Sequence, residues 1–189
     1  YCGEDVMIRF YKDPDEWTGW TGETNVVINF TQHLKQRDPY TNWRFWREAT
    51  LGLNAVALGP GSEEIGGSGE MSTEDMQAWL RSARAYLYTG TQPASYTLGL
   101  VEALMVGIPV ISIGPNWMTV FPYGPDLFEG HLLTGAYSDI PAGATQALRR
   151  LLDDDELAAK FSSEQRRRAV EGFGKDGVAA AWREYLGSP

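Results

Sequence analysis

Glu102 is the residue whose position in this chain most suggests a chemical role. It is the single acid in the stretch Leu98–Met105, whose other large side chains are apolar. Ser95 lies shortly before it and can cap the start of a helix. The backbone N–H groups that such a helix leaves free, those of Tyr96, Thr97 and Leu98, can bind an anion such as a phosphate. Ser95 and Glu102 would then lie about 10 Å apart along the axis, at about 1.5 Å per residue, which matches a diphosphate and the ribose hydroxyls of one nucleotide.

Two short apolar segments flank this helix and predict buried strands. Ala85–Tyr88 is apolar and aromatic and ends in Thr-Gly, whereas Val110–Ile113 lies between a proline and a Gly-Pro pair. Both are typical of buried strands in a parallel sheet. The helix between them, ending at about Met105, is apolar nearly all round, so we expect it to be covered on several sides. A carboxylate there needs a partner, and this edge of the sheet is a candidate ligand site.

The alternation of strands and helices continues along the chain and predicts βαβ units. The further predicted elements are strands at Val26–Phe30 and Ala55–Leu58, helices at Tyr40–Gly52 and Thr73–Ala83, and three helical stripes after Asp139. We therefore expect an α/β fold: a Rossmann-like parallel sheet with helices on both faces. Residues 25–189 would form this domain and residues 1–24 a linker or lead-in segment. Trp17 and Trp20 in that segment could stack on a sugar or base, but burial against the domain is the commoner fate of large aromatic residues.

The segment from Ser95 to Val110 resembles a known family, the nucleotide-sugar glycosyltransferases with two Rossmann domains (GT-B type). The likeness is to the C-terminal, donor-binding half of the retaining, family 4-like group with a Glu-x7-Glu motif, and it covers most of the chain from about Asn25 onward. The resemblance implies that Glu102 is the second acid of the motif and holds the ribose hydroxyls. The first acid, which contacts the donor sugar in that family, falls on Ala94.

A second site of that family follows the first strand, where many relatives carry an Arg and a Lys that grip the donor diphosphate. In this chain Gln32 falls on the Arg position and Arg37 on the Lys position. Lys35 or His33 could supply the missing cation, and the guanidinium of Arg37 suits a bidentate phosphate contact. The alternative is that Lys35 and Arg37 are ordinary solvated loop charges.

The glycine-rich segment Gly59–Gly69 does not fit a dinucleotide fingerprint, because it follows the second strand and Pro60 interrupts it. The family resemblance places this loop near the nucleotide base, where Gly59 and Gly61 would permit close approach of the backbone. A plain mobile connection explains the composition equally well.

Composition narrows the class of partner. The 189 residues include 16 basic and 25 acidic side chains, and the net charge of −9 disfavours nucleic-acid or anionic-membrane binding.

One cysteine, Cys2, is compatible with a reducing cytoplasm, and no stretch approaches the roughly 20 apolar residues of a membrane span. His33 and His131 are far apart, so we predict no metal site. Because the chain does not begin with Met, we expect that an N-terminal acceptor-binding domain precedes it.

These observations lead to one functional hypothesis and two alternatives. The hypothesis is a glycosyltransferase domain that binds a nucleoside-diphosphate sugar as donor substrate, with no further cofactor. With the N-terminal domain it would transfer the sugar to an acceptor. Its donor site would comprise Glu102, the helix start at Ser95–Leu98, Arg37, Lys35, Gln32 and Gly61, and we assign no catalytic residue. The alternatives are an inactive nucleotide or nucleotide-sugar binding module, favoured by Ala94 and Gln32, and a sugar-nucleotide epimerase of the same architecture.

Overall fold

The computed structural model describes residues 6, 8–92, 97–117 and 136–187 and contains five strands and six α-helices in that part of the chain. The strands are β1 (Thr24–Asn29), β2 (Ala55–Ala57), β3 (Ala83–Tyr88), β4 (Val110–Ile113) and β5 (Tyr137–Ser138). The helices are α1 (Trp43–Ala49), α2 (Thr73–Ser82), α3 (Leu98–Val106), α4 (Pro141–Asp153), α5 (Asp155–Phe173) and α6 (Lys175–Leu186).

The five strands form one parallel sheet in the order β2-β1-β3-β4-β5. The registers pair Val27 with Ala55, Tyr86 with Val110, and Ser112 with Tyr137. The chain moves from β1 outward to β2 and then returns past β1 to β3, so the direction of winding reverses between β1 and β3. This confirms the predicted α/β, Rossmann-like parallel sheet.

Helices cover both faces of the sheet. α1 packs against α4 on one face, and α3 packs against α2 and α5 on the other. This division follows from right-handed crossovers, because helices reached by leftward and rightward steps along a parallel sheet lie on opposite faces. From Leu100 to Val106 every side chain of α3 is buried, as the apolar sequence predicts. The expected acid among them, Glu102, is 7% exposed.

The boundaries of several elements differ from the sequence predictions. β4 has the predicted bounds, and α2 ends at Ser82 after Ser72 caps it by accepting a hydrogen bond from the Asp75 N–H. α1 is shorter than the predicted Tyr40–Gly52, because Asn42 takes a left-handed conformation with φ 56° immediately before it. α3 starts at Leu98, since Thr97 is extended and acts as the N-cap in place of Ser95. Ser95 itself lies outside the described residues.

The segment before β1 lies against the body of the domain. Trp17 is 4% exposed, and the indole Nε1–H of Trp20 donates to the Ala83 carbonyl oxygen at 2.8 Å. Arg166 on α5 donates to the carbonyl oxygens of Pro14 and Trp17 at 2.8 and 2.7 Å. The structure thus confirms burial of Trp17. No helix in the described part of the chain is both long and apolar enough to cross a membrane.

Candidate functional site

A groove of about 480 Å³ opens where the winding direction of the sheet reverses. The loops after β1, β2 and β3 and the start of α3 meet there, at the carboxyl ends of the strands. In open parallel α/β sheets the two loops that leave a reversal point in opposite directions create the crevice in which ligands bind. The groove is lined by residues of these segments and of α2, which include Phe30, Thr31, Gln32, Arg37, Gly59, Pro60, Glu70, Met71, Met76, Tyr86, Thr97, Leu98, Gly99 and Glu102.

Asn29 fixes the wall of the groove that follows β1. This fully buried amide ends the strand, and its Nδ2 donates to the Leu87 carbonyl oxygen on β3 at 2.7 Å. Its Oδ1 accepts a hydrogen bond from the Thr31 N–H at 2.7 Å. The side chain therefore ties the end of β1 to β3 and turns the chain into the groove. Sequence reasoning missed this residue, although a lone polar side chain at the end of an apolar strand was the available signal.

The loop after β1 contributes two of the four polar residues that the sequence singled out there. Gln32 and Arg37 line the groove, and both are exposed. No carboxylate among the described residues pairs with the guanidinium of Arg37. Lys35 and His33 do not line the groove; Lys35 is exposed elsewhere on the loop, and His33 contacts the next loop. Arg37 is thus the cation of this loop that is placed to meet an anion.

Gly61 does not face the groove. Its φ is +79°, and a Cβ built on it would lie 2.5 Å from Nδ1 of His33. The His33 N–H donates to the Pro60 carbonyl oxygen at 2.7 Å, and the Gln36 amide donates to the Gly61 carbonyl oxygen at 3.1 Å. Gly61 therefore permits close packing of the loops after β1 and β2, whereas Gly59 and Pro60 line the groove.

The start of α3 brings backbone N–H groups to the groove. Thr97 caps the helix, with its Oγ1 accepting from the Leu100 N–H at 3.3 Å. The N–H groups of Leu98 and Gly99 donate to no other described residue, and both residues line the groove. A Cβ built on Gly99 would meet no atom of the described residues within 4 Å, so none of them covers the backbone on this side. Because α3 begins at Leu98, the candidate donors are the N–H groups of Leu98 and Gly99 instead of the predicted set of Tyr96, Thr97 and Leu98. Tyr96 lies outside the described residues.

Glu102 lines the groove and forms an ion pair. Its Oε1 lies 2.5 Å from Nζ of Lys12, with side-chain exposures of 9% for the acid and 21% for the lysine. A carboxylate has about four acceptor positions on its two oxygens, so the pair leaves acceptors for a ligand. Glu102 lies one helical turn from the free donors, about 6 Å along the axis from Leu98 at about 1.5 Å per residue. The groove therefore places an acid and an anion-binding helix start side by side.

Tyr86 adds a neutral hydroxyl to the floor of the groove. Burial raises the pKa of Tyr86 above its ordinary value, the Phe30 N–H that donates to its hydroxyl at 3.3 Å opposes this shift, and the negative charge of Glu102 adds to it. The phenol consequently stays protonated at physiological pH.

A second groove, of about 500 Å³, lies at the opposite edge of the sheet. It is lined by residues before β1, including Thr21, Gly22 and Glu23, and by Arg84 and Asp155, which form an ion pair. The two grooves are nearly equal in size, so their volumes do not indicate which one binds a ligand. Their positions do, because ligands of open α/β sheets bind outside the carboxyl ends of the strands, where the first groove lies. No group of His, Cys, Asp or Glu in the described part of the chain is arranged to hold a metal ion.

Comparisons with known proteins find likeness in structure. No protein-family model and no curated protein sequence matches the chain. The structure of Alr3699/HepE from Anabaena in complex with UDP-glucose is similar with a TM-score of 0.70, at 15% identity over 95% of this chain and 56% of that one. AviGT4, a glycosyltransferase involved in avilamycin A biosynthesis, gives a TM-score of 0.67 at 19% identity over 97% and 58%. Sucrose-phosphate synthase from Thermosynechococcus elongatus gives 0.65 at 14% over 95% and 51%.

The chain shares its fold with glycosyltransferase structures. It spans about half the length of each of these three structures. At these identities the likeness concerns the fold, and the family 4-like assignment with its Glu-x7-Glu motif stays a prediction. The roles of the individual groove residues likewise stay predictions.

Proposed function

We propose that this chain is the donor-binding domain of a glycosyltransferase, the C-terminal half of a two-Rossmann-domain architecture, and that its groove binds a nucleoside-diphosphate sugar. One observation carries the proposal: Glu102 and the free N–H groups at the start of α3 lie one helical turn apart in a groove at the reversal point of the sheet. A nucleotide requires both kinds of group in one groove, N–H donors for its diphosphate and an acceptor for its ribose hydroxyls. Because α3 begins at Leu98, the two lie about 6 Å apart along the axis at about 1.5 Å per residue, in place of the roughly 10 Å expected for a helix that begins at Ser95. The fold shared with HepE, whose structures hold UDP-glucose and UDP, supports it.

Different groove residues would bind different parts of the ligand. Glu102 accepts hydrogen bonds from the ribose hydroxyls, while the N–H groups of Leu98 and Gly99 and the α3 dipole hold the diphosphate. Arg37 approaches the diphosphate from the loop after β1 and stabilises the charge that it gains as the leaving group. These residues contribute positioning and electrostatic stabilisation, without a covalent step.

The acceptor would bind to a second domain. The chain spans about half the length of HepE and of AviGT4, and we propose an N-terminal acceptor-binding domain as its partner. The 189-residue chain alone is then expected to bind nucleotide weakly and to lack transferase activity, because part of the sugar site would belong to that domain.

Isothermal titration calorimetry with UDP, GDP, ADP and inorganic pyrophosphate tests the proposal. We expect UDP or GDP to bind more tightly than pyrophosphate, because ribose and base add contacts to those of the diphosphate. Glu102→Gln should weaken this binding, whereas Glu23→Gln, a matched change in the groove at the opposite edge, should leave it unchanged. Absence of nucleotide binding at millimolar concentration would overturn the donor-site assignment, and sugar transfer by the isolated chain would overturn the two-domain requirement.

An inactive nucleotide-sugar binding module is a second candidate. Gln32 lines the groove at the position where the resembling family has an Arg, and Ala94, which lies outside the described residues, stands at the position of the first acid. The two candidates differ in their treatment of the sugar. Selective binding of one UDP- or GDP-sugar over the free nucleotide, together with slow donor hydrolysis by the full-length protein, supports the transferase. Absence of both supports the binding module.

A further inference from the structure

The partner of Glu102 comes from the segment before β1, remote from it in sequence. Lys12 does not line the groove, but its Nζ contacts Oε1 of Glu102 at 2.5 Å. Glu102, which faces the proposed ligand position, is therefore paired with a cation that lies outside the groove. Among the described residues, no other basic side chain forms an ion pair with Glu102.

Lys12 is held in place by two further contacts, and one of its partners, Trp17, is itself fixed. Its backbone N–H donates to the Phe173 carbonyl oxygen at 2.9 Å, and its ammonium lies 4.9 Å from the centre of the Trp17 ring. Trp17 is buried, and Arg166 on α5 donates to its carbonyl oxygen at 2.7 Å. An ion pair with a side chain that is already ordered loses less conformational entropy on forming than one between two mobile surface chains.

The charge of Glu102 creates a conflict that this lysine removes. A carboxylate about 6 Å along the helix axis from Leu98, at about 1.5 Å per residue, would repel a diphosphate at the α3 N-terminus. Among the described residues that line the groove, Glu70 is a second acid and Arg37 is the cation. Without Lys12, an anion would meet two acids and one exposed cation. With Lys12, the Glu102 charge is balanced while its oxygens still accept hydrogen bonds.

We propose that Lys12 is a positioning residue of the nucleotide site, which balances the charge of the Glu102 carboxylate so that one groove accepts both a ribose and a diphosphate. This inference rests on the proposed function. It also makes the segment before β1 a part of the donor site. The competing explanation is that the ion pair only fastens this segment to the domain.

Calorimetry with UDP and uridine separates the two explanations, because only UDP carries the diphosphate. Lys12→Met should weaken UDP binding by about tenfold, since an unbalanced charge at this separation opposes the anion, and should change uridine binding by less than about twofold. Lys12→Arg preserves the cation and should keep the wild-type affinity for both ligands. Lys160→Met, a change of an exposed lysine on α5, is the matched control and should alter neither.

The double variant Lys12→Met with Glu102→Gln gives a second expectation. Glu102→Gln removes the charge that Lys12 balances, so in this background Lys12→Met should change UDP binding by less than about twofold, in place of the about tenfold loss in the wild-type background. Thermal melts establish that each variant is folded, and Lys12→Gln serves the same comparison if the Met variant does not fold.

Two results would overturn the inference while leaving the proposed function standing. In the first, wild type and Lys12→Met bind UDP equally, so the ion pair only fastens the segment. In the second, Lys12→Met weakens UDP and uridine by the same factor, so the effect is a general loss of the site. If the wild-type chain binds no nucleotide, the proposed function fails and this inference fails with it.

Discussion

The substitution Glu102→Gln tests the central residue of the groove through two separate quantities, stability and affinity. The change removes one charge and keeps the size of the side chain and one acceptor oxygen. Breaking a fully buried ion pair costs about 3–5 kcal/mol, and an exposed pair contributes about 0–1 kcal/mol. Lys12 is 21% exposed on its side chain, and the glutamine oxygen still accepts its hydrogen bond. We therefore expect a loss of about 1–2 kcal/mol, which lowers Tm by about 2–8 °C in a domain of this size.

The effect of Glu102→Gln on affinity follows from the proposed contact with the ribose. A hydrogen bond to a charged group contributes about 1.5–3 kcal/mol, and each 1.4 kcal/mol is about a factor of ten. Binding of UDP or GDP should thus weaken by about tenfold to a hundredfold. Calorimetry measures the affinity and a thermal melt the stability, with Glu23→Gln as the control for both. A lower Tm with unchanged affinity would refute the assignment, because Glu102 would then serve only as the partner of Lys12.

Three further substitutions test other parts of the groove. Arg37→Gln should weaken UDP binding by about tenfold in calorimetry, because it removes one charge-assisted contact. The control Arg47→Gln on α1 should leave the affinity unchanged. Equal effects of the two substitutions would exclude Arg37 from the site. Gly99→Ala should raise Tm, because alanine is favoured in helices by about 1 kcal/mol. It should lower UDP affinity, because the added methyl group lies beside the Leu98 and Gly99 N–H groups, where it meets none of the described residues. Unchanged affinity would contradict close approach of the phosphate. Asn29→Ala should destabilise the domain by about 2–4 kcal/mol in denaturant unfolding, since it leaves a buried carbonyl and N–H unpaired. Asn54→Ala, which removes an exposed hydrogen bond, is its control; a similar small loss for both would refute the role of Asn29.

Much of the fold could be predicted from local sequence patterns. Val110–Ile113 was predicted with the observed bounds, because an apolar run between Pro109 and Gly114 defines a short buried strand without reference to distant residues. The helix starts were less predictable. Ser95 and Thr97 are both acceptable N-caps, and the choice of Thr97 depends on the backbone conformation at the end of the preceding loop. The strand order, and with it the reversal point between β1 and β3, depends on long-range pairing.

The candidate site could be predicted where one segment supplies both its groups. Glu102 and the start of α3 lie on one helix, so their separation follows from helix geometry. The ion pair of Lys12 with Glu102 could not be predicted, because the contact depends on how residues 12–22 cross α3 and α5. Gly61 was assigned to the site because a glycine in a loop at the sheet edge permits the approach of a ligand. In the structure, His33 takes the space beside it.

The most direct test of the donor site is the location of nucleotide binding on the isotopically labelled chain. In a titration with UDP followed by ¹⁵N–¹H correlation spectra, we expect the largest shift changes at the amides of Leu98, Gly99 and Glu102 and in the loop from Gln32 to Arg37. The amides of residues 21–23, in the groove at the opposite edge of the sheet, should stay unchanged. Shift changes concentrated at residues 21–23, or no changes at millimolar UDP, would contradict the account.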